Sequence, residues 1–388
     1  MTIVTWSPSS NDYDTGTNWS TTAVPTGKDA AFFGASTFVN PTINTTFDQV
    51  GEWIFNPGAS TYIFSIGTGI DFFGLGIVNG GGVTINISNT GNFTFYNASS
   101  SDKAIINNDH FLEYRDLSTA GNAIITNNSP GLYFLDFSSA GTAVIKNNGT
   151  MYFLDSSSAS GATIHTTAGA VTNFDFHSNA GSAQLITDAS GVVDFSDSKG
   201  SAANHQLTVG SIAGAGTYDL GGDQLTVLSG DVSGHVDDGG GANGSGASLV
   251  KVGHGKLTLS HADNTYSGGT TIVQGTFEVD AIGAAGPGAI TFASVGKSKA
   301  TIEIDNAALT GHVFATNDID FFGKHDVLDL PGLHYHAGAT AKYHPATDIL
   351  RVNSGHVTDK FTLVSPHGTH FEAASDHHGG TEVSLFFA

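Results

Sequence analysis

Cysteine is missing from this sequence, which excludes disulfides, thiolate zinc sites and cysteine nucleophiles. Cations are scarce: 13 lysines and arginines, with Arg115 and Arg351 the only arginines, face 35 acidic residues, for a formal charge of −22. A chain this acidic repels nucleic acids and anionic membrane surfaces. With so few guanidinium groups, a lyase that grips acidic sugars is not expected. No run of 18 apolar residues occurs, so no transmembrane helix is expected. The opening residues MTIVTWSPSSNDYDTG have neither the basic nor the apolar region of a secretory leader. No stretch spaces its apolar residues at i, i+3, i+4 and i+7, which argues against amphipathic helices. Nucleophile elbows, phosphate loops and dinucleotide fingerprints are also missing. GLGIVNGGG at 74–82 has the glycines of such a fingerprint but no helical pattern after it.

What remains is glycine, at 51 residues, with abundant Thr, Val, Ile, Phe, Ser and Asn. That composition favours strands and turns. From residue 98 to about 206 one pattern recurs: an aromatic residue, a spacer, Asp, a Ser/Thr-rich turn, Ala-Gly, Ala, Ile and Asn-Asn. The copies are YRDLSTAGNAIITNN at 114–128, FLDFSSAGTAVIKNN at 134–148 and FLDSSSASGATIHTT at 153–167, with a looser FDFHSNAGSAQLITD at 174–188. One column reads Asp116, Asp136, Asp155, Asp175, and another reads Ala104, Ala123, Ala143, Ala162, Ala183.

A period near 20 residues suits one coil of a parallel β-helix, whose coils bury apolar residues only by stacking. Ile125, Ile145 and Ile164 are then expected in one interior column. Asn107, Asn127 and Asn147 are expected to form an amide ladder. Ala is expected at tight corners. Each Asp is expected to accept backbone N–H groups at a turn, an architectural role and not a catalytic one. A leucine-rich repeat shares the period but needs a Leu pattern that is missing. Residues 60–100 read as less regular rungs, 207–245 as irregular, and 237–246 (DDGGGANGSG) as a flexible loop.

Residues 248–280, SLVKVGHGKLTLSHADNTYSGGTTIVQGTFEVD, closely resemble the autotransporter-associated β-strand repeat. Leu249, Lys251, Gly253, Gly255, Leu257, Leu259, Asn264, Tyr266, Gly268, Thr270, Ile272 and Gly275 occupy its positions, and Phe277 replaces the usual Leu. Residues 5–33 resemble the usual opening of such proteins, with Trp6, the Asn18-Trp19 pair, Pro25 and Asp29. The resemblance implies a right-handed parallel β-helix exported from a Gram-negative bacterium. An autotransporter also carries a membrane barrel, and no such pattern is read here. The tail resembles instead the terminal segment of type I secreted proteins: Gly379, Gly380, Thr381, Glu382 and Leu385-Phe386-Phe387, with His377-His378 where Asp-Gly is usual.

The expected fold is therefore an all-β, right-handed parallel β-helix with an N-terminal cap at 1–55, the helix at 56–310 and a C-terminal β domain at 311–388. Two metal sites are candidates. Asp12, Asp14 and Asn18, alternating around Gly16, resemble a short calcium loop lacking the terminal Glu. His334 and His336, alternate residues on one strand, would share a face, and His377 and His378 would add transition-metal ligands. Ten of the 17 histidines follow residue 311, so protonation near pH 6 would reduce the negative charge. No other cofactor is read. The expected function is a secreted or cell-surface structural or adhesive protein that associates head to tail. The alternative is a β-helix that binds or degrades a cell-surface polysaccharide.

Overall fold

The computed structural model describes residues 1–239, 244–293 and 298–386. It is almost wholly β, a solenoid with rungs of about 21 residues. The chain divides into two compact units, the first Met1–Val193 with Ser198–Asn204, the second Asp194–Asp197 with His205 onward. Of the loop expected at 237–246, residues 240–243 lie outside the described residues, as does Phe387 of the tail.

In the first unit two parallel sheets share each rung. One takes Phe47–Phe55, Gly69–Asn79, Asn92–Phe95, Phe111–Tyr114, Gly131–Phe134, Thr150–Phe153 and Val171–Phe174, each paired with the next. The other takes Tyr62–Ile66, Ile85–Asn89, Ile105–Asn108, Ile124–Asn127, Val144–Asn147, Thr163–Thr166 and Gln184–Thr187. A third line of single bridges joins Gly76, Ser100, Thr119, Ser139, Ser158 and Asn179. The residues explain the strands: four-residue segments alternate outward and inward, as in Ile124–Asn127, where Ile125 and Asn127 are buried. Each inward residue meets its equivalent about 4.8 Å along.

Several interior columns result, among them three that run through successive rungs. Ile87, Ile106, Ile125, Ile145, Ile164 and Leu185 stack in register. Phe72, Phe95, Tyr114, Phe134, Phe153 and Phe174 stack with nearly parallel rings at 4.7–5.1 Å between centroids. Burying each such ring contributes about 2–3 kcal/mol. The third column is an amide ladder at the corner between the sheets. Asn89 donates to Asn108 (2.7 Å), Asn108 to Asn127 (2.8 Å) and Asn127 to Asn147 (2.9 Å). The same amides also donate to carbonyls of the following segment, as Asn127 does to Ser129 O at 2.9 Å.

The ladder corrects the expected one by a residue. Asn108, not Asn107, pairs with Asn127, because that rung is 19 residues long. Asn107 faces solvent, where Asn128 donates to it and Asn148 to Asn128. The Ala column is fully buried at all five positions. The Asp column holds for three members. Asp116, Asp136 and Asp155 are left-handed, with φ of 55–56°, a conformation that Asp tolerates better than most residues. Each carboxylate accepts an N–H from the preceding rung: Asn97 N to Asp116 (2.8 Å), Asp116 N to Asp136 (3.0 Å) and Asp136 N to Asp155 (3.2 Å). Asp175 is out of the column. Phe153 pairs with Phe174, which places Phe176, φ 58°, in line with Asp155.

An aromatic knot closes the start of the first unit. Trp6, Tyr13 and Trp19 are buried with ring centroids 4.8–6.3 Å apart. Trp19 Nε1 donates to Tyr13 O at 2.8 Å and Trp6 Nε1 to Phe38 O at 3.0 Å. Asp29 anchors the chain by accepting from Thr26 N and Thr2 N. The strand Ile3–Thr5 pairs on one side with Ala30–Phe33.

The second unit is regular where irregularity was expected. Gln206–Gly214 and Gln224–Val232 pair in parallel from Gln206↔Gln224 to Gly214↔Val232. The tetrapeptide QLTV occurs at 206–209 and 224–227, a step of 18, shorter than the period of the first unit. Parallel pairing continues through Asp326–Leu330. Residues 340–385 then add antiparallel pairing, although Val357–Val364 still pairs in parallel with Val313–Asp320. Thr340–His344, Ile349–Ser354 and Val357–Val364 form one meander, and Thr381–Leu385 pairs with both Phe371–Ser375 and Asp326–Leu330. The glycine-rich tail motif is thus built into a sheet, with Thr381 Oγ1 donating to Leu333 O at 2.7 Å.

The interior ladder predicts unequal costs at adjacent positions. Asn127→Ala strands the Asn108 amide, the Asn147 carbonyl and the Ser129 carbonyl, and lowers stability by about 3 kcal/mol. Asn128→Ala, on the solvent ladder, changes it by less than about 1 kcal/mol. Denaturant unfolding of the two variants reads the difference, and equal losses refute the assignment.

Candidate functional site

The expected calcium loop is a closed hydrogen-bond knot. Asn18 is fully buried. Its Oδ1 accepts from Ser9 N (2.9 Å), and its Nδ2 donates to Ser10 Oγ (2.7 Å) and Asp12 O (2.7 Å). Asp12 Oδ1 accepts from Asp14 N at 3.1 Å. Asp14 Oδ2 caps a different turn, accepting from Asn44 N (3.1 Å) and Thr45 N (2.7 Å). A cation would have to displace these partners.

The knot brings together a pair that sequence reading missed, Asp14 and Asp48. Asp48 is in register with the inward-facing Ile70 and is 8% exposed. The two carboxyls neighbour each other, and Asp14 Oδ1 and Asp48 Oδ2 are both shielded from water with no donor; a proton shared between them would supply one. Burial, reinforced by Asp14, pushes Asp48 up to about 7. Asp14 is held below its ordinary value, hydrogen bonds from Thr45, Asp48 and Asn44 outweighing burial.

The histidine candidates are placed apart from the expected strand. His334 and His336 lie exposed in the connection between Asp326–Leu330 and Thr340–His344, so alternation along a strand does not align their rings. His334 Nδ1 is 3.3 Å from Gly379 O, and His336 N donates to Ser354 Oγ at 2.8 Å. His377 and His378 sit in the turn before Thr381–Leu385, where His378 Nδ1 is 3.0 Å from Asp376 O. Among the described residues no three His, Asp or Glu side chains are grouped to hold a metal ion. Two other histidines meet buried carboxyls: His205 Nδ1 lies 2.7 Å from Asp223 Oδ1 and His312 Nδ1 2.8 Å from Asp359 Oδ1. Burial pushes Asp223 up to about 6, with His205 opposing.

The outer face of the first unit's Phe47-containing sheet carries a trough of about 350 Å³. One outward column runs Phe47, Gly69, Asn92, Phe111, Gly131. The next runs Asp71, Thr94, Glu113, Tyr133, Tyr152. Phe47 and Phe111 are 49% and 40% exposed. Each ring leans over a glycine one rung on: a Cβ at Gly69 would meet the Phe47 ring at 2.6 Å, and one at Gly131 the Phe111 ring at 2.8 Å. Asp71 lines the trough and is 6% exposed, with an Oδ1 that lacks a donor. Burial raises its pKa, and nearby Glu113 adds to this against Thr94 and Arg115. Glu113 accepts from Arg115 Nε at 2.9 Å. No sequence motif singled these residues out: Phe47 falls in the expected cap, Asp71, Asn92 and Thr94 in rungs read as less regular, and Phe111 and Glu113 in the repeat itself.

In the second unit Lys251 is fully buried. Its Nζ donates to Val252 O (2.8 Å), Gly253 O (3.0 Å) and Gln274 O (3.0 Å), clamping two successive turns. Burial lowers its pKa to about 8. Gly275, φ 78°, passes so close that a Cβ would lie 2.3 Å from Gly253 O and 2.7 Å from Lys251 Nζ. Asn264 accepts from Val236 N and donates to Ala284 O, and Tyr266 OH meets Thr270 Oγ1 at 2.9 Å. Residues 249–279 match the passenger-associated-transport-repeat. The repeat and the solenoid around it fit an autotransporter-associated β-helix repeat protein. Its signature residues are therefore rung clamps. Comparison with curated proteins and with solved structures gave no match.

Two outcomes follow. Lys251→Met leaves three carbonyls without their donor and lowers the stability of the second unit by about 2 kcal/mol. Lys256→Met, which breaks exposed ion pairs to Glu278 and Glu303, costs under about 1 kcal/mol. Thermal unfolding of both variants checks the order.

The carboxyl pair makes stability depend on pH. Asp48 is raised, so between about pH 4 and 7 the folded chain holds a proton that the unfolded chain has released. Its contribution is full below pH 3.8 and is lost as pH rises through about 7. The lowered Asp14 acts oppositely, at lower pH; Asp12 and the buried Tyr13 are the other titratable neighbours. The loss is at most on the order of 4 kcal/mol, at about 1.4 kcal/mol per pKa unit. Asp48→Asn flattens the decline in melting temperature between pH 4 and 8. An unchanged slope contradicts the shared proton.

Proposed function

We propose that this protein is a secreted or cell-surface β-helix with an adhesive or structural role and no catalytic one. The passenger-associated-transport-repeat at 249–279 supports an exported setting, as does the similarity of the tail to type I secreted proteins. No described helix is long and apolar enough to cross a membrane.

One observation carries the adhesive part. Inward columns of the Phe47-containing sheet are filled and closed, while its outward columns hold exposed aromatic rings and carboxyls at fixed rung spacing. A face held this rigidly loses little entropy on binding. Association between copies runs through the strand Ile3–Thr5, an edge strand of its sheet with Ile3 62% exposed. A partner strand added there gives a heterologous, head-to-tail contact.

Antibody labelling of intact producing cells, before and after permeabilisation, tests the location. Label on intact cells or in the medium is expected, and label only after permeabilisation overturns it. Electron microscopy of the purified chain from pH 5 to 8, with and without calcium, tests the association. Filaments or sheets are expected, and isolated particles throughout overturn it.

A further inference from the structure

We infer that the trough between Phe47 and Phe111 is a binding site for a non-acidic polysaccharide. The inference rests on the adhesive reading and names its ligand.

The two phenyl rings are three rungs apart, about 14 Å along the sheet, and each lies over a glycine that leaves it room. Their exposed faces are electron-rich and accept the C–H face of a pyranose ring, which presents several weakly polarised C–H groups. Between the rings, Asn92, Thr94, Asp71 and Glu113 supply an amide, a hydroxyl and two carboxyls. A sugar carries its hydroxyls around the rim of the same ring, where they donate to these acceptors. Asp71 is the specific signal. It lines the trough and is more than nine-tenths buried, and its Oδ1 is closed to water and lacks a donor; a turn of the carboxyl toward the trough presents that oxygen to a ligand hydroxyl. Leaving such an oxygen unmet is costly, and a site built to receive a hydroxyl discriminates strongly against ligands lacking one.

Charge selects among polysaccharides. The residues lining the trough include two carboxyls and no lysine or arginine, and Arg115 nearby already gives its Nε to Glu113, so the lining offers no cation to a uronate or sulfate. Asp71 and the overall charge of −22 repel anionic chains. Neutral hexoses and amino sugars remain. The register also matches a polymer: Tyr133 and Tyr152 continue the Asp71 column, with rings stacked at 5.2 Å, and extend the platform beyond the trough. Tyr96 borders the other side, stacked on Phe73 at 4.8 Å.

The test is an array of neutral, amino and uronic-acid oligosaccharides probed with the full chain, followed by calorimetry with the neutral or amino hexasaccharide that binds best. Phe111→Ala and Asp71→Asn are each expected to weaken binding about tenfold, equivalent to about 1.4 kcal/mol. Phe137→Ala, a still more exposed ring outside the trough, leaves it unchanged. Circular dichroism confirms that the variants fold. No binding to any neutral or amino sugar, preference for uronic acids, or binding indifferent to Phe111→Ala overturns the inference. If sedimentation shows instead that Phe111→Ala dissociates an assembly of the chain and no sugar binds, the trough is a contact between copies and the inference fails. Surface labelling reads the cellular location independently, so either result leaves that question separate.

Discussion

Register in the parallel ladder is the constraint on which everything else depends. Residues one rung apart sit about 4.8 Å from one another, so like meets like in the repeated interior columns. Aromatic rings suit this because offset stacking places their centroids at nearly that distance. Amides suit it because each carries both donor and acceptor and can bond to the copy above and the copy below. Carboxylates do not, since stacked charges repel. The Asp116–Asp136–Asp155 column escapes by turning each carboxylate toward a backbone N–H of the neighbouring rung.

A ladder must also end. A first rung has no predecessor to cover its interior, and here Trp6, Tyr13 and Trp19 supply apolar cover while Asn18 ties the loop together. Closing the interior in this way buries Asp48 beside Asp14, and burial together with that neighbour raises the Asp48 pKa to about 7. At the other terminus, parallel pairing gives way to antiparallel meanders. Antiparallel hairpins need only tight turns, whereas another parallel rung needs a full crossover. Within the second unit the buried Lys251 solves a related problem. Its ammonium gathers three carbonyls of adjacent turns that the ladder leaves without partners.

The outward face is free of the packing rule, and it is there that the rungs differ. Glycine at 69 and 131 gives room for exposed phenyl rings to lie along the sheet, while buried Asp71 sits among polar neighbours. The interior specifies the scaffold, and the departures from the repeat on its surface specify what it can touch.

The repeat by itself determined the fold. An Ile column, an Ala column and a period near 20 residues leave few alternatives to stacked coils, and the Lys-Gly-Gly spacing at 251–255 marked the autotransporter-associated repeat. Columns were legible where the residue type repeats unambiguously, as Ala and Ile do through steps of 19 to 21. They failed where a neighbour of the same or similar type offered a second choice or the motif changed: Asn107 was read for Asn108, Asp175 for Phe176, and the 18-residue step at 206–232 as irregularity. Such slips arise because one residue more or less moves a side chain to the opposite face. Only the tertiary structure decided the rest. Asp14 and Asp48 are 34 residues apart in sequence, and Phe47, Asp71 and Phe111 belong to different rungs. No local pattern encodes such a pairing, because the coiling of the chain, which sets each rung upon the last, is what brings these residues together.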